Sequence, residues 1–369
     1  MTDIRRRALP DGFLYGRMCV LALIAVTGGT EVRAGIVQAP SIPSFSVDPN
    51  WPKPLPNHWT VGPVSGVSVD RHDHVWIIQR GESVKQAGGN PAPPVLEFDR
   101  EGQVVRTWGG PGAGYDWPQQ VHGITIDTQD RVWISGNGDK DSHILVFTRD
   151  GQFIRQIGRA GHNGGSNDTA NLGRATQMRL DPKRREVFVS DGEMNLNHRV
   201  IVFDSETGAY RRHWGAYGAR PDDSVAVARV DPKAPAPKQF GGAVHCLRID
   251  RDGLVYVCDR SNNRFQIFQK DGTFVKEVFV ANDTSGAGSA WDIEFSRDQR
   301  HLYLADGTNQ KIWILSRHDL QVVASFGGPG REAGRFATPL HDIAVDSAGN
   351  LYTGEAATAG RLQKFALNP

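Results

Sequence analysis

Hydrophobic and polar positions along the chain form a short hairpin pattern that recurs six times. In residues 339–355, apolar residues alternate with polar ones from Leu340 to Val345, residues 347–350 turn the chain, and residues 351–353 return. Alternation with a period of two predicts a half-buried strand, and two such strands around a tight turn predict a β-hairpin. The chain is therefore predicted to be built from repeated hairpins.

Each hairpin begins a longer unit of short predicted strands. Six units follow one another, at residues 64–108, 121–157, 176–214, 244–279, 291–326 and 341–366. Four-stranded repeats of this length are typical of a β-propeller, so the sequence predicts an all-β fold with six blades, occupying residues 63–369. A linear solenoid is the alternative.

The sixth unit lacks a fourth strand, which favours a closed ring. Residues 35–62 are predicted to supply that strand, with His58-Trp59-Thr60-Val61 pairing onto the sixth unit. Closure of this kind removes the exposed sheet edges that a linear array would leave.

The N-terminus and the charge bear on location and partners. Residues 1–34 contain a basic segment, Arg5-Arg6-Arg7, and a short apolar run, and they are predicted to be a signal peptide for export to the periplasm or the outside of the cell. An uncleaved N-terminal anchor and a misassigned start are the alternatives. The net charge of +1 gives no support for a nucleic-acid partner.

Loop lengths indicate which end of the propeller carries function. The turns between strands one and two, and between strands three and four, are short, whereas the other connections are long and variable, as in residues 81–94, 158–174 and 216–242. The long connections share one face of an up-and-down propeller, and variable loops on a rigid scaffold are where binding residues concentrate.

Histidines recur at one position of the first strand, which lines the central channel. The six aligned positions hold Ser65, His122, Thr176, His245, Trp291 and His341. Histidine in alternate blades places three imidazoles around the channel axis, which predicts a zinc site that would also accept Fe²⁺, Mn²⁺ or Co²⁺. The alternative is three unrelated channel histidines.

Charged residues near the same face complete the candidate site. Arg80 and Arg260 follow the second strands of opposite blades and are predicted to bind a carboxylate, although ion pairs between blades are the alternative. Glu193, at the matching place in the third unit, is a candidate general base or ligand, or a solvated carboxylate. Asp342 is expected to point away from the channel side taken by His341, or to reach back through a loop bend. It is a candidate to bind a separate hard cation or to cap backbone N–H groups.

Two cysteines face each other on one hairpin. Cys246 and Cys258 lie at matching distances from the turn at residues 250–253. A cross-strand disulfide is compatible with this spacing, but two buried thiols are the favoured interpretation.

These motifs resemble those of NHL-repeat propellers and, more specifically, of peptidylglycine α-hydroxyglycine α-amidating lyase. The resemblance runs from about residue 63 to residue 365 and is carried by Val64-Ser65-Gly66-Val67, Gln79-Arg80-Gly81-Glu82, Val121-His122-Gly123-Ile124, Val244-His245, Asp259-Arg260 and Leu340-His341-Asp342-Ile343. It implies that the three histidines hold a catalytic zinc, that Arg80 and Arg260 are active-site arginines, and that a structural calcium binds Asp342 and the main-chain oxygens of Val67 and Ile124. One position departs from the family, since its catalytic tyrosine is replaced here by Glu193.

The sequence therefore predicts a metal-dependent, lyase-like enzyme. The resemblance implies a small-molecule substrate or peptide C-terminus bearing a carboxylate, such as a peptidyl-α-hydroxyglycine, whose C–N bond is cleaved to release glyoxylate. A non-catalytic NHL-repeat binding module with a structural metal, which would take a protein partner, and a metal-dependent hydrolase are the alternatives.

Overall fold

The computed structural model describes residues 41–225, 234–235, 237–357 and 360–369. Over this part of the chain the fold is a six-bladed β-propeller in which every blade is a four-stranded antiparallel sheet, which confirms the predicted fold class. The predicted signal peptide, residues 1–34, lies outside the described residues. Within the described residues, no helix has the length and apolar character needed to cross a membrane.

The first three blades follow one another along the chain. Strands are numbered in chain order, and those of each blade are given from the channel outwards. Blade one contains β2 (Val64–Val69), β3 (Val75–Gln79), β4 (Val95–Phe98) and β5 (Val104–Trp108). Blade two contains β6 (Val121–Ile126), β7 (Val132–Gly136), β8 (His143–Phe147) and β9 (Phe153–Gly158). Blade three contains β10 (Ala175–Asp181), β11 (Glu186–Asp191), β12 (Arg199–Asp204) and β13 (Tyr210–Trp214).

The other three blades complete the ring. Blade four contains β14 (Val244–Ile249), β15 (Val255–Asp259), β16 (Arg264–Phe268) and β17 (Phe274–Phe279). Blade five contains β18 (Asp292–Phe295), β19 (His301–Asp306), β20 (Lys311–Ser316) and β21 (Val322–Gly327). Blade six contains β22 (Leu340–Val345), β23 (Leu351–Glu355), β24 (Arg361–Leu367) and β1 (Phe45–Asp48). The described helical segments are short and lie in loops, at Glu82–Gln86, Pro56–His58, Ala216–Gly218 and Arg260–Asn262.

The ring closes through an N-terminal strand, but through a different one from that predicted. β1 pairs with β24, from Phe45 opposite Leu367 to Asp48 opposite Lys364, whereas Thr60 forms an isolated bridge with Pro91. Phe45 stacks on Phe326 at 5.1 Å, so alternation in Phe45–Asp48 buries one face of the strand against blade five. The prediction that residues 58–61 pair with the sixth unit was wrong, because prolines precede this segment and Pro56–His58 forms a turn.

The hydrophobic core lies between the blades. Each of six buried clusters joins two neighbouring blades: Trp76 of blade one packs in the same cluster as Ile134 of blade two, and Tyr352 of blade six packs with Val67 of blade one. The cluster with Tyr352 and Val67 joins the sixth blade to the first, so each blade in the described part of the chain packs against a neighbour on both sides. This packing holds the channel-lining strands in fixed positions.

An irregularity in the first strands sets the direction of the channel side chains. In β14, Val244 pairs with Asp259 and Cys246 with Cys258, so His245 has no partner across the ladder. The register shifts at the same place in β2, β6, β10 and β22. A bulge of this type re-aims the extra residue, and the regular alternation expected from Leu340 to Val345 is therefore interrupted at His341.

Cys246 and Cys258 face each other across the ladder and form a disulfide, with Cα atoms 4.8 Å apart. The favoured interpretation of two buried thiols was therefore wrong. Both residues lie in the cluster between blades four and five, so the disulfide lies inside the core.

Candidate metal centre

Three histidines from alternate blades meet in the channel. Ring centroids of His122, His245 and His341 are 4.8–5.1 Å apart, and one nitrogen from each ring lies within 4.8 Å of the others. All three side chains are buried. The structure thus brings together the three residues that the sequence predicted to form a tripod.

The backbone of the neighbouring blade orients two of the rings. Nδ1 of His122 lies 3.1 Å from the carbonyl oxygen of Thr176, and Nδ1 of His245 lies 2.6 Å from that of Trp291. A carbonyl oxygen only accepts, so each Nδ1 donates its proton and each Nε2 keeps a lone pair. Nε2 of His245 is buried and has no hydrogen-bond partner among the described residues. This is the arrangement that metal-binding histidines adopt.

The electrostatic environment keeps the three imidazoles neutral. Burial lowers the pKa of His122, His245 and His341 well below the usual value, and the nearby guanidinium groups of Arg80 and Arg260 lower the pKa of His122 and His341 further. Neutral imidazole is the form that binds a metal ion. Three neutral nitrogen donors within 4.8 Å of one another match the ligand set of a three-histidine zinc site, so these residues fit the metal that the sequence predicted.

Arg80 lies at the inner end of a groove between blades one and two. Its Nε donates to the carbonyl oxygen of Val121 at 2.9 Å, and one terminal nitrogen donates to Oδ1 of Asn137 at 3.1 Å. Burial lowers its pKa to about 10, so Arg80 stays charged at neutral pH. The groove has a volume of about 940 Å³, and Trp117 and Met194 also line it. Asn137 positions Arg80 here, although the sequence analysis did not single it out.

Arg260 and Glu193 form an ion pair beside the tripod. Nη2 of Arg260 lies 3.0 Å from Oε1 of Glu193, and the guanidinium carbon lies 4.5 Å from the ring centre of Trp291. The other oxygen of Glu193 is buried, has no hydrogen-bond partner in the described part of the chain, and lies 4.0 Å from Nε2 of His245. Glu193 is thus a buried carboxylate at the tripod, and the solvated alternative was wrong.

Asp342 points into the channel together with His341, because the bulge removes the alternation between them. Its Oδ2 accepts a hydrogen bond from the Val67 N–H at 3.0 Å, and its Oδ1 accepts one from Gln177 at 3.2 Å. Burial and the neighbouring carboxylate of Asp292 raise the pKa of Asp342 well above its usual value. The expectation that Asp342 points away from the side of His341 was wrong, and the side chain reaches the channel through a bulge within β22 and not through a loop bend.

A buried arginine accompanies these carboxylates. Nη2 of Arg248 lies 2.8 Å from Oδ2 of Asp292 and 3.6 Å from Oδ1 of Asp342. Arg248, Asp292 and Gln177 were not predicted from the sequence, although Gln177 and Asp292 occupy the same position of their repeats as Asp342. The available signal for Arg248 was a charged residue in a strand whose other residues, apart from His245, are apolar.

A second group of residues that could bind a metal ion is already paired with an arginine. Asp70, His74 and Glu97 lie close together, but Arg149 pairs with both carboxylates, and Nδ1 of His74 lies 2.6 Å from Oε1 of Glu97. An ion pair with arginine supplies the positive charge that a metal would bring. This group is therefore a structural network at the turns of the other face.

Fold and site together describe a six-bladed propeller with a buried three-histidine cluster. Residues 244–268 match the NHL repeat family model. Over 276 residues the chain is 24% identical to NHL repeat-containing protein 3 of Mus musculus, with 74% of this chain and 70% of that protein covered. These findings confirm the predicted resemblance to NHL-repeat propellers.

Amidating enzymes are also among the similar proteins. The chain is 26% identical over 352 residues to peptidyl-glycine alpha-amidating monooxygenase B of Xenopus laevis, covering 86% of this chain and 35% of that protein. It is 23% identical over 222 residues to the probable peptidyl-alpha-hydroxyglycine alpha-amidating lyase pgal-1 of Caenorhabditis elegans, covering 56% of each. A solved streptogramin B lyase has the same fold, with a TM-score of 0.55 over 88% of this chain and 98% of that chain at 12% identity. The resemblance to amidating lyases is thus confirmed as a distant one.

Proposed function

We propose that the chain is a zinc-dependent lyase that cleaves the C–N bond of a carboxylate-bearing substrate, such as a peptidyl-α-hydroxyglycine, and releases glyoxylate. The observation that carries the proposal is the convergence of three buried, neutral histidines beside two arginines and Glu193. The distant similarity to amidating enzymes supports the same reaction class.

His122, His245 and His341 would hold the zinc ion through one ring nitrogen each. Imidazole nitrogen suits zinc, and three protein ligands leave a position for substrate. A zinc ion bound there supplies a Lewis acid that polarises an oxygen of the substrate. The Thr176 and Trp291 carbonyls hold two of the rings in the required tautomer.

The two arginines would bind the substrate carboxylate. A guanidinium group matches the planar geometry of a carboxylate and keeps its charge when buried. Arg80 is already fixed by Val121 and Asn137 and faces the groove, so it is the permanent anchor. Arg260 must give up part of its contact with Glu193 to share the substrate, which makes it the adjustable partner.

Glu193 would accept the proton of the substrate hydroxyl group. As this O–H bond breaks, its electrons form the aldehyde carbonyl of glyoxylate, the C–N bond breaks, and the amide nitrogen takes up a proton, so that a peptide amide and glyoxylate leave. Oε2 of Glu193, which has no hydrogen-bond partner in the described part of the chain, would take up this proton, while Oε1 is held by Arg260. General-base catalysis of this kind typically contributes a factor of about 10²–10⁴ to the rate.

A non-catalytic binding module is the second candidate, and one observation favours it. Arg260 pairs with Glu193 at 3.0 Å, and this contact occupies one of the two predicted carboxylate-binding groups. In that case the tripod would hold a structural metal and the groove at Arg80 would take a protein or peptide partner.

Export remains part of the proposal. A disulfide between Cys246 and Cys258 is stable in an oxidising compartment and rare in a reducing one. This supports the predicted export of the chain to the periplasm or the outside of the cell.

Glyoxylate release from benzoyl-α-hydroxyglycine tests the lyase proposal. Zinc-loaded protein is expected to form benzamide and glyoxylate from this acid, and formation of benzamide from its methyl ester, whose other product is methyl glyoxylate, should be far slower because the ester lacks the carboxylate that Arg80 binds. Equal rates on acid and ester would exclude the carboxylate-binding role. Absence of release from a protein shown to contain zinc would favour the binding module.

A further inference from the structure

The channel next to the tripod contains a second buried polar group. Asp292 and Asp342 both point into it, Gln177 bridges them by donating to Oδ1 of each at 3.1 and 3.2 Å, and Arg248 lies against them. All four side chains are buried. Two carboxylates this close in a dry interior require a compensating positive charge.

The contacts of the two carboxylates are already complete. Oδ2 of Asp342 accepts from the Val67 N–H at 3.0 Å, and Oδ2 of Asp292 accepts from the Ile343 N–H at 2.9 Å. A calcium site instead collects six to eight oxygen atoms around one point. The N–H of Val67 thus occupies one oxygen of Asp342 that a cation would otherwise bind.

Arg248 also binds main-chain oxygens at the centre of the channel. Its terminal nitrogens donate to the carbonyl oxygens of Leu247 at 3.0 Å and Ile343 at 3.1 Å, and its Nε donates to Glu294 at 3.0 Å. With the 2.8 Å contact to Asp292, the guanidinium group connects blades four, five and six. These are the carboxylate and carbonyl ligands that a hard cation prefers.

We propose that Arg248 takes the place of the structural calcium ion that the sequence resemblance implies, so that this propeller is held together at its centre without calcium. Arginine suits the role because it keeps its charge in the interior and offers five donors in a fixed plane. The tripod is then the one metal site of the channel among the described residues. On this proposal Asp342 makes its contacts with protein groups, and the main-chain oxygens of Val67 and Ile124 are not needed as calcium ligands.

A calcium titration of zinc-loaded protein tests this proposal without any activity measurement. Calcium chloride is added to protein dialysed into calcium-free buffer, and binding heat and the thermal midpoint are recorded. Wild-type protein is expected to show no stoichiometric binding and less than about 1 °C of change in the midpoint, since a ligand stabilises only a protein that binds it. Arg248→Met, which keeps length and removes charge, is expected to unfold at lower temperature and to regain several degrees in millimolar calcium.

Arg199→Met is the matched control, because Arg199 forms a similar fully buried ion pair with Asp191 at 2.8 Å away from the channel carboxylates. Its midpoint should fall without recovering in calcium. If either variant fails to fold, the wild-type titration still decides. One calcium bound per wild-type chain, lost in Asp342→Asn, would overturn the proposal, as would equal calcium stabilisation of wild type and Arg248→Met.

Discussion

Nη2 of Arg260 lies 3.0 Å from Oε1 of Glu193, while the second oxygen of the same carboxylate lies 4.0 Å from Nε2 of His245. One carboxylate thus joins a candidate substrate-binding arginine to a candidate metal ligand. The pair lies inside the channel, where the effective dielectric constant is low and charge interactions are stronger than in water. A substitution of Glu193 is therefore expected to affect both Arg260 and the three-histidine cluster.

Glu193→Gln removes the negative charge and keeps the shape. If Glu193 accepts the substrate proton, kcat for glyoxylate release is expected to fall by about 10²-fold or more. Zinc content should stay unchanged, because the three histidines provide the predicted ligands. Glu206→Gln is the control, since Glu206 pairs with Arg131 at the turns of the other face. An unchanged kcat in Glu193→Gln would remove Glu193 from the chemistry.

Arg80→Lys keeps a positive charge but loses the planar pair of donors. Hydrogen bonds to charged groups contribute about 1.5–3 kcal/mol, so KM for the carboxylate substrate is expected to rise by about 10–100-fold. The rate on the methyl ester should hardly change. Arg100→Lys serves as the control, because Arg100 has an exposed side chain and pairs with Asp73 outside the candidate site. A KM effect of the same size on acid and ester would show that Arg80 acts through the groove shape and not through the carboxylate.

The pH dependence of the metal-free protein follows from the three histidines. Burial holds their pKa values below the value in the unfolded chain, which is about 6.5, so the unfolded state binds more protons below that pH. The free energy of unfolding is therefore expected to decrease as the pH falls below about 6.5 and on towards the folded-state pKa values. Denaturant titrations measure this, with the triple His122→Gln, His245→Gln, His341→Gln variant as reference. Parallel curves for the two proteins would contradict the burial of neutral imidazoles.

The disulfide between β14 and β15 is expected to stabilise the fourth blade. Closing a loop of about this size restricts the unfolded chain and typically contributes about 3 kcal/mol. The Cys246→Ser, Cys258→Ser double variant should lose stability by roughly that amount in chemical denaturation. Adding reductant should destabilise the wild type and leave the double variant unaffected. Equal stability of wild type and variant under oxidising conditions would show that the thiols are not bonded in solution.

The ring and the tripod were predictable because both follow from a repeat. Six copies of one hairpin define six blades, and the same position in blades two, four and six holds His122, His245 and His341. Symmetry converts that spacing in sequence into proximity in space. No property of a single blade would have given this result.

The direction of individual channel residues was less predictable. The apolar residues of β22 are spaced by three residues, from Leu340 to Ile343, and then by two, to Val345. The interval of three marks the bulge that turns both His341 and Asp342 into the channel, but alternation alone predicts opposite faces. The same interval separates Val244 from Leu247 around His245.

The channel ion pairs depend on contacts between distant blades. Arg248 reaches Asp292 of blade five and Ile343 of blade six, and sequence spacing within one blade contains no information about such a contact. The closing strand is a similar case, since Phe45–Asp48 pairs with β24 at the far end of the chain and Phe45 packs on Phe326 of blade five.

The metal content of the purified protein tests the central claim most directly. Elemental analysis after zinc reconstitution and removal of free metal is predicted to give one zinc ion per chain in the wild type and none in His245→Ala. His318→Ala is the control, because the side chain of His318 is exposed, and it is predicted to keep one zinc ion per chain. A wild-type protein that stays free of metal after reconstitution, or a His245→Ala variant with unchanged zinc content, would contradict the three-histidine site and the lyase proposal built on it.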